Sequence, residues 1–578
     1  MGGACSRKRN NRDDEDRFPR GISTRYSKSG SSKWLATAFS RPGGDTQHDK
    51  GQCPSLMDLC AWKICQDIDK YSTFSMLPRD ISQQIINELV SSGCLTDVSF
   101  QGFRDCALQD LYLGGYPNVN DTWMDVVSSQ GSSLLSLDLS GSDVTDSGLI
   151  YLKDCRNLQA LNLNDCDEIS DHGLEHISGL SNLTDLSFRR NCGITSHGMS
   201  AFVRLFGLIK LDLEKCPGIQ GGLVHLQGLT KLESLNIKWC NSITDADMEP
   251  LSGLTNLKCV QISCSKVTDS GITYLKGLHN LSLLNLEGCP VTAACLDSLS
   301  ALDCLLFLNL SRCHLTDEGC DKFCRFENLK VLNLGFNDIT DACLVHLKGL
   351  TNLESLNLDS CRIGDEGLAN LTGLKHLKCL ELSDTEVGSI GLRHLSGLVK
   401  LESINLSFTV VTDSGLRKLS RLSSLKSLNL DSRQITDTGL EALTSLTGLM
   451  HLDLFGAKIT DSGTKYLRSF KNLRSLEICG GGLTDAGVKD IKDLSSLTLL
   501  NLSQNCNLTD KSLELISGLT GLVSLNVSNS RITSSGLRHL KLLKNLKSLT
   551  LEGCKVTGND IRKLQLTQLP NLVSFRPE

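Results

Sequence analysis

His172-Gly173-Leu174-Glu175-His176 has the most chemical spacing in the chain. Two histidines four apart on a helix share a face and can hold zinc, with the intervening Glu as base. The rest of the sequence argues against that use. His176 stands where equivalent stretches carry His225, His346, His394 and His539, or Tyr151, Tyr274 and Tyr466. His172 stands where they carry Ser147, Ser270 or Ser414. There is no identifiable third ligand and no C-x-x-C pair. No G-x-S-x-G, Walker loop or dinucleotide fingerprint occurs. The expectation is a chain that is not an enzyme and takes no metal or cofactor.

Other residues suit modification or binding. Met1-Gly2-Gly3-Ala4-Cys5-Ser6 fits the acceptor pattern for myristate on Gly2. One acyl chain holds a membrane weakly, so a second signal is needed. Cys5 can take palmitate, and Arg7, Lys8, Arg9 and Arg12 can meet anionic lipid. The expected location is cytoplasmic, peripheral at the plasma membrane if Gly2 is acylated. No apolar run approaches the 18 residues or so of a membrane span, and there is no secretory h-region. The net charge is −6. Residues 1–41 hold ten Lys/Arg and four Asp/Glu, so the remainder carries −12. An acidic body argues against nucleic acid as partner.

The element that positions everything else is a repeat. Leu353-Glu354-Ser355-Leu356-Asn357-Leu358 and Leu425-Lys426-Ser427-Leu428-Asn429-Leu430 are two copies of L-x-x-L-x-L, which returns every 24 or 25 residues from Leu134 to Leu546. Between copies runs a second phrase, such as Val411-Thr412-Asp413-Ser414-Gly415-Leu416. Leucines two apart face one side of a short strand. Thr can then cap a helix, and Asp suits its N-terminus. One strand and one helix cannot bury their apolar faces alone, whereas stacked copies build a continuous core. The fold class is therefore an α/β leucine-rich-repeat solenoid of about eighteen regular repeats, strands concave and helices convex. Weaker copies are expected at Leu95 (with Val98 and Phe100) and at Leu108, and Leu572 with Phe575 reads as a terminal cap.

Seven of the 25 cysteines share one repeat position: Cys166, Cys216, Cys240, Cys289, Cys313, Cys361 and Cys554. Asn191, Asn337, Ser142 or Thr409 stand there in other copies. Small polar groups at this corner are expected to bond the backbone of neighbouring turns as reduced thiols. This usage resembles the cysteine-containing class of leucine-rich repeats found in F-box proteins.

Three segments follow: a basic tail at 1–52, a helical module at 53–93 and the repeats at 94–578. In the module, Ser55 and Asp58 form a capping box. Leu56, Cys60 and Ile64, four apart, resemble the BC box that inserts into Elongin C, and Leu77-Pro78 before an apolar helix is similar to the second part of a SOCS or VHL-type box. Leu77-Pro78-Arg79-Asp80-Ile81 also resembles the first helix of an F-box, which docks on a Skp adaptor, although the repeats begin too soon for a full F-box. The third reading is a cap on the open end of the solenoid. These resemblances imply a substrate-recognition subunit of a cullin-based ubiquitin ligase; the alternative is a membrane-tethered scaffold in signalling.

A protein partner is expected on the concave face. Asn or Asp dominates the position between the last two leucines, a solvated ladder that holds register. Arg189, Arg190, Lys215, Lys238 and Trp239 form a basic patch in three successive copies, suited to an acidic or phosphorylated segment and partly offset by Glu214. Phe336, Phe408 and Phe455 are expected at one shared outward position as interface anchors.

Overall fold

The computed structural model describes residues 55–576. The chain divides into two compact units, Met1–Cys60 and Ala61–Glu578. Of the first, residues 55–60 are described: Ser55 Oγ accepts from the Asp58 N–H at 3.1 Å and Asp58 Oδ2 from the Ser55 N–H at 2.9 Å, the expected capping box. Gly2 and Cys5 lie outside the described residues.

In the second unit, three-residue strands run from Asp110–Tyr112 to Ser574–Arg576. All twenty pair in parallel as one sheet, each with the next in the chain. The register is like on like, Leu137 beside Leu161 and Leu332 beside Leu356. Up to strand Ser548–Thr550 the central residue, leucine in all but Val260 and Ile404, and the apolar residue two later are buried, so they form one continuous core. Each copy returns through a short helix of one or two turns, some α (Asp171–Ile177) and some 3₁₀ (Gly198–Arg204).

Three sets of side chains stitch copy to copy. The corner cysteines donate to the carbonyl of the last core residue one copy earlier: Cys240 Sγ to Leu213 O and Cys313 Sγ to Leu286 O, both at 3.1 Å. Burial pushes the Cys216, Cys240 and Cys361 thiols up to about 12, so they stay protonated donors. All 23 cysteines among the described residues are free. At the opposite corner, asparagines such as Asn280 and Asn328 donate to backbone carbonyls one copy back, at 2.9 and 3.0 Å.

The third set is the Asp of the Thr-Asp phrase, whose work lies beyond its own helix. Asp413 accepts from both the N–H and Oγ1 of Thr436 in the next copy, at 2.8 and 2.6 Å. Asp437 does the same for Thr460.

Two expectations are corrected at the ends. The Leu95 stretch is not a strand. Thr96 and Ser99 form a reciprocal capping box that starts the helix Asp97–Gln101, leaving Val98 exposed. Local side-chain bonds there outweigh the repeat pattern. Phe575 belongs to a twentieth strand, Ser574–Arg576, paired with Ser548–Thr550, so this stretch is a further turn of the sheet.

The first strand would leave an open edge. Helix Arg79–Ser91 covers it. Gln83 Oε1 accepts from the Gln109 and Asp110 N–H groups, and Gln83 Nε2 donates to Asp110 O at 2.6 Å. Ile85, Ile86 and Leu89 of that helix are fully buried in the same core.

Candidate protein-binding face

Alternation along each strand turns one residue of three into the core and two onto the open face of the sheet. A corner residue follows one position after the face, and it is left-handed in copy after copy. Glycine fills it at Gly141, Gly288, Gly456, Gly480 and Gly553. Elsewhere it is a small or polar residue (Asp165, Cys264, Ser360, Asp384, Gln504 or Asn529) or a large one, Arg190, Lys215, Trp239, Arg312, Phe336 or Phe408, with φ between 52° and 64°. The geometry is imposed by the stack: the corner N–H donates to a carbonyl of the next copy, Trp239 to Ser263 O at 2.8 Å and Phe336 to Asp359 O at 2.7 Å. A left-handed conformation costs a non-glycine residue roughly 1–2 kcal/mol. Large aromatics therefore occupy a position that glycine would fill at less cost, and Trp239 and Phe408 remain about half exposed there.

The aromatic set is not one row. Phe336 and Phe408 are corner residues, but in the third copy Gly456 takes the corner. Phe455 comes one residue earlier, level with Gly335 and Ser407. Phe336 lies under Arg312, whose guanidinium carbon is 3.7 Å from the ring centroid.

The basic patch is gathered as expected, yet its charge is largely answered in place. Arg189 Nε meets Asp212 at 2.7 Å. Glu214 sits 3.5 Å from Lys238 and 3.6 Å from Arg189. Arg190 reaches Asp165 at 3.3 Å, and Lys215 Nζ lies 5.7 Å from the Trp239 ring centroid. Asp212 is 3% exposed, and burial pushes its carboxyl above the usual carboxylate range against the pull of Arg189. This is an ion-pair network, and an isolated phosphate would have to compete with its carboxylates. Further along, Asp359, Asp384, Asp431, Asp453 and Glu477 make the face acidic.

The ladder between the last two leucines is not solvated throughout. Asp212, Asn236, Gln261, Asn285 and Asn309 are all buried, each 4% exposed or less. In four consecutive copies the residue before the central leucine is apolar: Cys259, Leu283, Phe307 and Val331. Nine other copies place serine there, from Ser136 to Ser574. That change of residue type was visible in the sequence, but only at a position where copies are aligned and compared.

His172 is exposed and His176 half-buried on the helix Asp171–Ile177. Among the described residues the one grouping of metal-type ligands is Asp317, Cys320 and Cys343. Asp317 there already accepts from Thr340 N–H and Oγ1, the ordinary stitch of this fold.

The module residues divide. Ile64 and Leu77 are half-buried against the core, and Ala61 and Ile68 are buried. Cys60 and Pro78 are exposed, as are Trp62 and Met76. Leu56 opens the helix Leu56–Gln66.

Twenty parallel strands in sequential register, with leucines stacked on leucines, decide the architecture. This is a leucine-rich-repeat solenoid. The family model of a leucine-rich repeat region matches residues 310–576, and a second leucine-rich-repeat model matches 132–153, 154–178 and 228–252. The mouse RP105 complex with MD-1 contains a similar chain, at 20% identity over 87% of this chain and 89% of that one, with a TM-score of 0.51. An internalin from Listeria monocytogenes is 24% identical over 57% of this solenoid chain and 88% of its own, with a TM-score of 0.40. At 20% identity the likeness to the RP105 chain is one of fold. Among the described residues, no helix of the solenoid or its module is long and apolar enough to cross a membrane.

Proposed function

We propose that this solenoid is a non-enzymatic protein-binding subunit whose strand face takes the partner. The observation that carries it is the pair of half-exposed aromatics, Trp239 and Phe408, held at strained corner positions where other copies use glycine. In its finer form the chain is the substrate-recognition subunit of a cullin-based ubiquitin ligase, with residues 55–90 meeting an adaptor of the Elongin C or Skp type. The cysteine usage and the capped helix Leu56–Gln66 support that form, and the exposed Cys60 leaves part of the box-like stretch accessible. The burial of Ile64 and Leu77 against the core supports the capping role of the same module.

The test is a pull-down of purified Elongin C and of a Skp adaptor by the full chain and by a Leu56→Asp, Cys60→Asp variant. The expected result is retention of one adaptor by the wild type and its loss, by tenfold or more, in the variant. If wild type retains neither, the ligase reading fails. A membrane-tethered scaffold then takes its place, provided the chain partitions to membranes only with Gly2 intact.

A further inference from the structure

We infer that the four strands from Cys259–Gln261 to Val331–Asn333 form a subsite for an extended peptide segment of a partner protein, carrying a bulky apolar side chain flanked by acidic residues. This deepens the proposal that the strand face binds protein and rests on it.

Three independent features coincide on these four strands. The first is the stripe Cys259, Leu283, Phe307 and Val331, half-buried side chains on the open face. Three strand spacings of about 4.8 Å give it a length of roughly 14 Å, enough for four extended residues. The second is a groove of about 610 Å³ beside the same strands, lined by Lys258, Ser282, Cys304, Leu306, Asn328 and Lys330. Its origin is a gap in the asparagine ladder: Cys304 holds the place that Asn280 and Asn328 hold in adjoining copies. Leu306 is 39% exposed there.

The third is a hydrogen-bond donor with no acceptor. Asn285 is 1% exposed and its Nδ2 is unpartnered. Its orientation is set, because Oδ1 accepts from the Glu287 N–H at 3.1 Å. At the same position Asn236 Nδ2 donates to Asp212 at 2.9 Å, and Asn501 Nδ2 to Glu477 at 2.8 Å, each one copy back. For Asn285 the residue one copy back is Gln261, whose Nε2 turns instead to Cys259 Sγ. A buried unmet donor is costly, and a peptide carbonyl would satisfy it. Because the donor is covered, neighbouring side chains must part for that carbonyl to reach it.

Charge selects the flanks. Lys258 and Lys330 border the stripe on the groove side, Lys238 and Arg312 on the corner side, with Glu287 between. Lys258 is committed to Glu233 at 2.8 Å, Lys330 to Glu354 at 3.5 Å and Lys238 to Glu214 at 3.5 Å, whereas Arg312, stacked on Phe336, stands 4.0 Å from Glu287 and is about half exposed. Arg312 is therefore placed to meet an incoming carboxylate.

The test is selection of a random twelve-residue phage-displayed peptide library on the immobilised full chain. Enriched peptides should combine a large apolar residue with Asp or Glu. They should bind a Leu283→Ser, Phe307→Ser variant at least tenfold more weakly. Serine is what nine other copies carry here, so this variant should keep its melting temperature. If it does not, Arg312→Glu carries the test: it should lose the acidic peptides and select basic ones. No enrichment over bare support, enrichment of basic peptides on the wild type, or unchanged binding to the variants would overturn the subsite. The adaptor pull-down does not involve this stripe. A chain that cross-links a partner from Trp239 and Phe408 yet selects no peptide overturns the subsite alone.

Discussion

Asn337→Ala should destabilise the solenoid by about 3–5 kcal/mol, the largest effect expected from any single corner residue. Asn337 is 5% exposed. Its Nδ2 donates to Leu310 O and Leu334 O, both at 2.8 Å, and its Oδ1 accepts from the Cys313 and Leu315 N–H groups at 3.1 and 3.0 Å. Alanine strands two buried donors and two buried acceptors without supplying water. Asn337→Cys should cost less, about 1–2 kcal/mol, because a thiol restores the bond to the carbonyl one copy back, as Cys361 does to Leu334 O at 3.3 Å. Urea unfolding measures both. An alanine variant within 1 kcal/mol or so of wild type would show that the corner side chains do not hold the copies together.

Gly367→Val ranks second, at about 3 kcal/mol. A Cβ on Gly367 would stand 2.2 Å from Asp341 Oδ1 and 2.8 Å from its Cγ. The same conflict arises at Gly391 and Gly439, because each glycine packs on the Asp that stitches its copy to the previous one. One of the copies without glycine indicates the remedy. Ser512 fills this position and its Oγ donates to Asp485 Oδ1 at 2.5 Å. Gly367→Ser should therefore cost under about 1 kcal/mol, since a hydroxyl turns the clash into a hydrogen bond. Equal melting temperatures for the Ser and Val variants would contradict this reading of the Asp–Gly contact.

Much of this architecture was legible in the residues. Leucine spacing gave strand register because a period of two leaves one way to bury both side chains. The corner thiols were legible because their position recurs. What escaped was contact between copies made by charged side chains. Asp413 reads locally as a helix-start residue, and its bonds to Thr436 appear only when the next copy is in place. The cations at Arg189 and Arg190 read as a patch offset in part by Glu214, and their pairing with Asp212 and Asp165 escaped because those carboxylates belong to neighbouring strands. Phe455 was placed with Phe336 and Phe408, although counting from the last core leucine sets it one residue short. The stripe at Leu283 and Phe307 was hidden by being apolar among apolar residues.

The central claim is that partner proteins meet the strand face. Site-specific photo-cross-linking tests it most directly, with benzoyl-phenylalanine placed at Trp239 or Phe408 on the strand side and at Tyr151 or Tyr274 on the helix side. All four side chains are at least one-third exposed, so access is comparable. The account predicts the same cross-linked partner from Trp239 and Phe408 and none from the two tyrosines. A partner captured from Tyr151 and Tyr274, with the strand-side positions silent, would contradict it.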